Sequence, residues 1–376
     1  MERFAINLIV LGKSGAGKSS FCNYLFDKPG LFETGSGKPV TSWERNFQSH
    51  TFEYQRHLLN VFDSVGLEAN NYELWVDRFD SFMRNRRQRP LEPEAWIHGA
   101  FYIVNANSAR LENVDINLIK RLGNVDKIPL QVILTNADAA GEKVEALTQE
   151  ISKSCPGVLI TPLCSVSVRM RGGKSSEPFG KNTVLSLYLQ QSHSFLSKRL
   201  AAMSCLNFKQ ALVVMRDTIV DRIEKADLSL FKLTDLDLDK EIVLPDLDEI
   251  FSDLRSFDDY LSSFGFAGDW ETSEEIEKAV TKAFNDFQQE LEEHFQDIQN
   301  RFDSDSLMSQ VGALFDMVKI ILTLKSTLID LLEKGFERVF GELERLFTKY
   351  VGSDDFFALH PMRLEESVRV KWLGIF

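Results

Sequence analysis

Eight consecutive residues, Gly12-Lys13-Ser14-Gly15-Ala16-Gly17-Lys18-Ser19, have the spacing G-x-x-x-x-G-K-[ST], that of a phosphate cradle. Glycines at 12, 15 and 17 open backbone conformations in which successive N–H groups turn toward phosphate oxygens at the positive end of the following helix. The contact set then runs through Ser14, Gly15, Ala16 and Gly17 to Ser20. Lys18 is placed to reach the β- and γ-phosphates and to offset charge during transfer, and the Ser19 hydroxyl to ligate Mg²⁺. About 45 residues downstream comes Asp63-Ser64-Val65-Gly66, a D-x-x-G pattern. Asp63 is suited to hold Mg²⁺ through water, and the Gly66 N–H to meet the γ-phosphate. This is the chemistry of a Mg²⁺-dependent nucleoside triphosphate site.

The elements that must position these groups are legible as apolar runs. Ile6 to Leu11 reads as a strand entering the glycine loop, and Phe21, Cys22, Leu25 and Phe26 read as the buried face of a helix leaving it. Leu58 to Phe62 forms a second buried run ending at Asp63. Ile128 to Leu134 delivers Thr135-Asn136-Ala137-Asp138, and Val158 to Leu163 delivers Cys164-Ser165-Val166-Ser167. Strands alternating with helices predict an α/β domain with a mostly parallel sheet and helices on both faces.

Thr135-Asn136-Ala137-Asp138 resembles the guanine-reading motif [NT]-K-x-D, in which the Asp accepts from the N1 and N2 edge of the base. Asn136 stands where that motif has a lysine lying over the base, so the resemblance implies guanine preference with weakened affinity. Ser165 and Val166, with Ser167, look like the loop whose backbone meets the guanine O6. Residues 1 to about 195 therefore resemble a GTPase domain of the Era, septin and dynamin class, most closely the bacterial Era-like GTPases. Three stretches carry this: Gly12 to Asn23, Asp63 to Glu68, and Phe101 to Ala106 leading to Leu134 to Asp138. The resemblance implies binding of GTP and GDP with Mg²⁺, hydrolysis and a switch. It also implies a first-switch threonine for Mg²⁺ and the γ-phosphate. Thr41 fits better than Thr34, because it directly precedes the next strand pattern, Trp43 to Tyr54.

Two departures bear on hydrolysis. Leu67 follows the D-x-x-G where Ras-like enzymes place a water-orienting glutamine, so slow turnover is expected unless a switch residue, a cation or a partner in trans assists. Relatives that bind K⁺ usually carry Asn at the position of Gly15, so K⁺ activation is not carried over. Septins share this form of the loop and pair across the nucleotide face, which implies a homodimer or a GTP-dependent oligomer. Arg84-Asn85-Arg86-Arg87-Gln88-Arg89 offers four arginines before Pro90, read either as an arginine finger or anion site, or as a solvated helix end.

The chain has 376 residues and a net charge of -13. Its charge is uneven: residues 1–200 hold 24 Lys/Arg and 20 Asp/Glu, against 19 and 36 in residues 201–376. An acidic second half disfavours nucleic acid and anionic lipid, and favours a protein partner or self-assembly. Cys22, Cys155, Cys164 and Cys205 lack paired or metal-site spacing, as expected of reduced cytosolic thiols. Met1-Glu2-Arg3 begins no secretory leader, and Met317 to Leu324 is too short and too charged to span a membrane. The expected location is cytoplasmic, with peripheral membrane contact as the alternative.

Residues 196–376 read as an acidic helical bundle. A capping box, Thr272-x-x-Glu275, precedes a stripe from Ile276 to Phe302, and a second stripe runs from Leu307 to Tyr350. Helices over about 273–302 and 306–350 would form an antiparallel hairpin, capped by Asp305 or Ser306, with Gly335 or Gly341 as kink points. Further helices, about 196–229 and Leu247 to Phe264, would complete the bundle. Asp235, Asp237, Asp239, Asp246 and Asp248 lack the glycine and terminal Glu of a Ca²⁺ loop and read as an acidic linker. The alternating tail from Val368 to Phe376 is expected to dock on the bundle or meet a partner. Three readings remain: a GTPase switch with the bundle as effector, a dynamin-like assembling or membrane-remodelling GTPase, and a scaffold that binds GTP without turning it over.

Overall fold

Strand β1 (Ala5–Gly12) is apolar at nearly every position because helices cover both faces of its sheet, and Ile6, Leu8, Ile9, Val10 and Leu11 are all fully buried. The computed structural model describes residues 3–32, 47–68, 71–89, 91–107, 110–166, 177–225, 257–268, 270–303 and 311–351. Around β1 lie β2 (Gln48–Tyr54), β3 (His57–Asp63), β4 (Gly99–Asn105), β5 (Leu130–Thr135) and β6 (Leu159–Pro162). Their order is β2-β3-β1-β4-β5-β6, parallel except for the antiparallel edge strand β2. The alternation of β2 fits this place, with only Phe52 fully buried in it.

Between the strands run α1 (Lys18–Leu25), α2 (Tyr72–Arg87), α3 (Asn113–Lys120), the single turn α4 (Ala137–Ala140) and α5 (Lys143–Ser154). Helix α3 opens with a capping box in which the Glu112 and Asp115 side chains each accept from the other's end of the first turn. The expected mostly parallel α/β sheet followed by a helical region is thus what the chain forms.

Packing divides the chain into two units, and the boundary falls inside the 45-residue helix α6 (Lys181–Lys225). That helix begins earlier than its polar stretches suggest, because Val184, Leu185 and Tyr188 pack into the first unit. The first unit takes in residues up to Lys198 and also Leu261–Ala267, a strap at the end of α7 (Phe257–Ser263). The strap fits closely. Phe4 N–H donates to Ser263 O at 2.8 Å, and His57 Nδ1 donates to Phe264 O at 2.9 Å. Phe264 packs edge-on against His98, and Phe266 lies between the rings of His57 and His193. Gly265 has φ +81°, and a Cβ there would lie 2.6 Å from Arg56 O, so only glycine lets the strap approach the β2–β3 turn.

The second unit contains the rest of α6 with α8 (Trp270–Asp303) and α9 (Val311–Val351). Helix α8 starts two residues before the expected Thr272 cap. Glu275 meets Lys349 and Tyr350 while Glu290 meets Arg338, a falling series that makes α8 and α9 antiparallel. Ile276, Val280, Phe284, Phe287 and Leu291 are buried, as are Leu328, Leu332, Phe336, Val339, Leu343 and Leu346. Gly335 does not end the helix. A Cβ on it would stand 2.0 Å from the Phe287 ring, so it marks a close approach of the two helices. Lys209 on α6 pairs with Glu344 at 2.6 Å. Asp305, Ser306, the aspartates of 235–248 and the tail from Val368 lie outside the described residues.

Candidate nucleotide-binding site

The glycine loop leaves the C-terminal end of β1 and turns into α1, with Gly12 at φ +144°, Gly15 at +72° and Gly17 at +91°. A Cβ at Gly12 would meet Ile103 O at 2.4 Å, so the loop can cross β4 only without a side chain. Gly66 is held as tightly: a Cβ there would lie 2.5 Å from the Ser14 Cα and 2.8 Å from its nitrogen. Two hydrogen bonds join the segments, Leu67 N–H to Gly12 O and Ser14 N–H to Leu67 O, both 3.1 Å. The D-x-x-G segment is therefore stitched to the loop by backbone, and Leu67 itself is buried beside Leu11 and Trp75.

Lys18 is buried, its ammonium donating to Gly12 O and Lys13 O at 3.1 Å each. Burial lowers its pKa, and the charge of Asp63 opposes that shift. Asp63, at the end of β3, is pushed up to about 6 by burial, against the pull of Lys18 and of the Ser64 N–H. Its Oδ1 is buried and has no hydrogen-bond partner among the described residues. An acid in that state fits a divalent cation's water shell or another electropositive group. Ser19 lies half-buried at the start of α1.

Thr135 joins the third motif to the first. Its hydroxyl lies 2.7 Å from Ala16 O, to which it donates, and a Cβ on Gly17 would stand 3.4 Å from that hydroxyl oxygen. Asn136 adopts the left-handed region at φ 52°, ψ 35°, which Asn tolerates better than most residues. Asp138 follows on α4, half-buried, with Oδ2 buried and without a partner among the described residues. Ala137 N–H reaches Leu163 O at 3.3 Å, which brings the β6 exit beside the motif. There Cys164 and Phe179 exchange backbone hydrogen bonds, Ser165 is half-buried and Val166 is 52% exposed. Gly12 to Ser20, Asp63, Gly66 and Thr135 thus share one end of the sheet, with Asn136, Asp138, Ser165 and Val166 on the adjoining turns. Thr41 and Ser167 lie outside the described residues.

The arginine cluster resolves into separate roles. Arg87 pairs with the buried Asp126, which Arg121 also approaches at 3.6 Å. The Arg86 guanidinium stacks on Phe82 and Phe62, at 3.8 and 4.6 Å from the ring centres. Arg89 pairs with Glu92, and Arg84 is exposed. Neither Arg86 nor Arg87 is a solvated helix end, and both are engaged within their own domain. Sequence reasoning missed Thr135 as a tie to the loop, and also the partner of Lys13. That ammonium lies 2.7 Å from Asp115 and 3.2 Å from Glu112. Partners so distant in sequence leave no local signal.

No described helix is long and apolar enough to cross a membrane. Residues 2–154 match the family model described as Septin. Human Septin-9 is 28% identical over 147 residues, covering 34% of this chain and 25% of that protein. Zebrafish (Danio rerio) neuronal-specific septin-3 is 25% identical over 174 residues, 40% of this chain and 46% of its own length. Cell division control protein 10 of Saccharomyces cerevisiae is 27% identical over 146 residues, 33% and 45% respectively. The chain spans between a quarter and a half of these relatives. Among solved structures, the septin GTPase domain of Chlamydomonas reinhardtii is similar at 14% identity and TM-score 0.40, over 51% of this chain and 93% of that one. Toc33 of Arabidopsis thaliana, in complex with Mg²⁺ and GMPPNP, follows at 15% and 0.36, over 50% and 85%. The family match falls on the septin member of the class that the motifs resemble, and over residues 2–154 this chain is similar to a septin-type P-loop GTPase domain.

Proposed function

We propose that the chain binds GTP and GDP with Mg²⁺ and hydrolyses GTP slowly as a molecular switch. The observation that carries this reading is a pair of buried carboxylate oxygens without a hydrogen-bond partner among the described residues, Asp63 Oδ1 and Asp138 Oδ2. One matches the needs of a hydrated cation and the other those of a base edge rich in N–H donors. Lys18 exchanges its two carbonyl partners for phosphate oxygens, and Ser19 supplies a hydroxyl to the metal. Thr135 keeps the base-reading turn in register with Ala16. Bound Mg²⁺ supplies neutralisation of the charge developing on the transferred phosphoryl group. Thr41 completes the first switch, Gly66 the second, and Ser165 and Val166 border the base.

Activation comes from pairing of two heads across the nucleotide face or from a protein partner, with the helical half as effector or assembly module, in the cytoplasm. The test is turnover of GTP and ATP across a protein concentration series, with Lys18→Ala as control. GTP-selective turnover that rises with concentration is expected, whereas equal use of ATP would overturn the reading. A second reading, a GTP-binding scaffold with negligible turnover, is favoured by Leu67, which is 5% exposed and committed to the core. A wild-type rate equal to that of Lys18→Ala would select it.

A further inference from the structure

Lys13 is the second cation of the phosphate loop, and its surroundings suit a group with two positions. Its ammonium sits 2.7 Å from Asp115 Oδ2 and 3.2 Å from Glu112 Oε2, at the start of α3. Asp115 is buried, and it accepts in addition the Tyr102 hydroxyl at 2.6 Å and the Glu112 N–H at 2.8 Å. Burial and this carboxylate push the Tyr102 pKa upward, so the phenol stays a donor. Asp115 therefore keeps two donors when Lys13 leaves. Release thus leaves the buried carboxylate hydrogen-bonded. Glu112 returns to water, its side chain being 65% exposed.

The backbone of Lys13, by contrast, is fixed. The Leu67–Gly12 and Ser14–Leu67 hydrogen bonds bracket it on both sides. Its backbone thus stays opposite Leu67, one residue from Gly66, where a γ-phosphate would be met, while the side chain is 29% exposed. Leu67 brings no polar group to that place.

We propose that Lys13 is a γ-phosphate-responsive cation. It rests on Asp115 and Glu112 when no triphosphate is bound, and moves its ammonium to the γ-phosphoryl oxygens in the GTP state. There it supplies in cis part of the charge neutralisation that Leu67 cannot. Asp115 is a positioning residue that holds Lys13 in the resting arrangement. The inference rests on the GTP reading above, and it adds a residue that the G-x-x-x-x-G-K-[ST] pattern leaves unspecified.

The test compares Lys13→Ala, Lys13→Arg and Asp115→Asn in the full chain. Readouts are affinity for GDP, affinity for a slowly hydrolysed GTP analogue, and single-turnover hydrolysis. Lys13→Ala is expected to keep GDP affinity within about twofold while lowering analogue affinity and turnover about tenfold, with Lys13→Arg restoring most of both. Asp115→Asn, which frees the ammonium, is expected to raise the analogue-to-GDP affinity ratio and the turnover rate. Should that variant fail to fold, Glu112→Gln at the exposed carboxylate is expected to act in the same direction. Parallel losses in Lys13→Ala and Asp115→Asn would make the pair a structural brace and overturn the proposal. Equal weakening of GDP and analogue in Lys13→Ala would do the same. A wild-type chain that binds neither guanine nucleotide would instead overturn the GTP reading itself.

Discussion

Asp138 carries guanine selectivity in this reading, because its buried Oδ2 has no partner among the described residues while the base edge offers donors. Replacing one acceptor by a donor in Asp138→Asn should weaken GTP binding about 100-fold, as for lost charge-assisted bonds of about 1.5–3 kcal/mol, and favour xanthine nucleotides. Competition between GTP and XTP for a fluorescent guanine nucleotide checks this, and an unchanged order of preference would remove Asp138 from the base site. Asn136, where the motif has lysine, stands in the left-handed region, which Asn tolerates better than most residues. The closeness of Lys18, Asp63 and Gly66 was legible in the sequence, since motif spacing and strand ends fix where such residues fall. The Thr135 hydroxyl on Ala16 O spans 119 residues, and the Arg87–Asp126 pair depends on how two helix ends meet, so neither left a trace in local pattern.

At the level of elements, the apolar runs gave the strands because both faces of a parallel sheet are covered, and the helical stripes gave α8 and α9. Gly335 was ambiguous in sequence, since a helical glycine serves equally as a kink or as a place of close approach. Gly335→Ala should drive its methyl into the Phe287 ring and destabilise the hairpin by about 1–3 kcal/mol, the usual cost of overpacking. Thermal melting of the full chain measures it, and an unchanged transition would contradict the packing described. The strap should respond to pH through His57. Burial lowers the pKa of this imidazole below its ordinary 6.5, with Arg56, Arg3 and His193 acting in the same direction and the Phe264 carbonyl opposing them. The unfolded or undocked chain therefore binds the proton more readily, so docking is fully favourable above about pH 6.5 and weakens as pH falls below it. Hydrogen exchange in residues 261–267 should accelerate between pH 7 and about 5.5, and His57→Gln should flatten that dependence. Exchange that stays constant over the interval would show that His57 does not govern the strap.

For the whole molecule, charge and contact point in one direction. The acidic second half holds 36 Asp/Glu against 19 Lys/Arg in residues 201–376, a balance that repels phosphate backbones and anionic lipid. The strap makes the first unit discontinuous in sequence. A fragment ending at residue 198 leaves the sites for Phe264 and Phe266 open at His57, His98 and His193, and it should melt several degrees lower than a fragment ending at residue 268. Equal melting temperatures would show that the strap adds nothing. The strap also imposes an order of events during synthesis. The six-stranded sheet is complete in sequence once β6 has emerged, but the face around His57 closes only after residue 267 has been made and has returned to it. Until then the face around His57 stays open, and under the proposed function guanine nucleotide present during translation meets the first unit before α8 and α9 have been made.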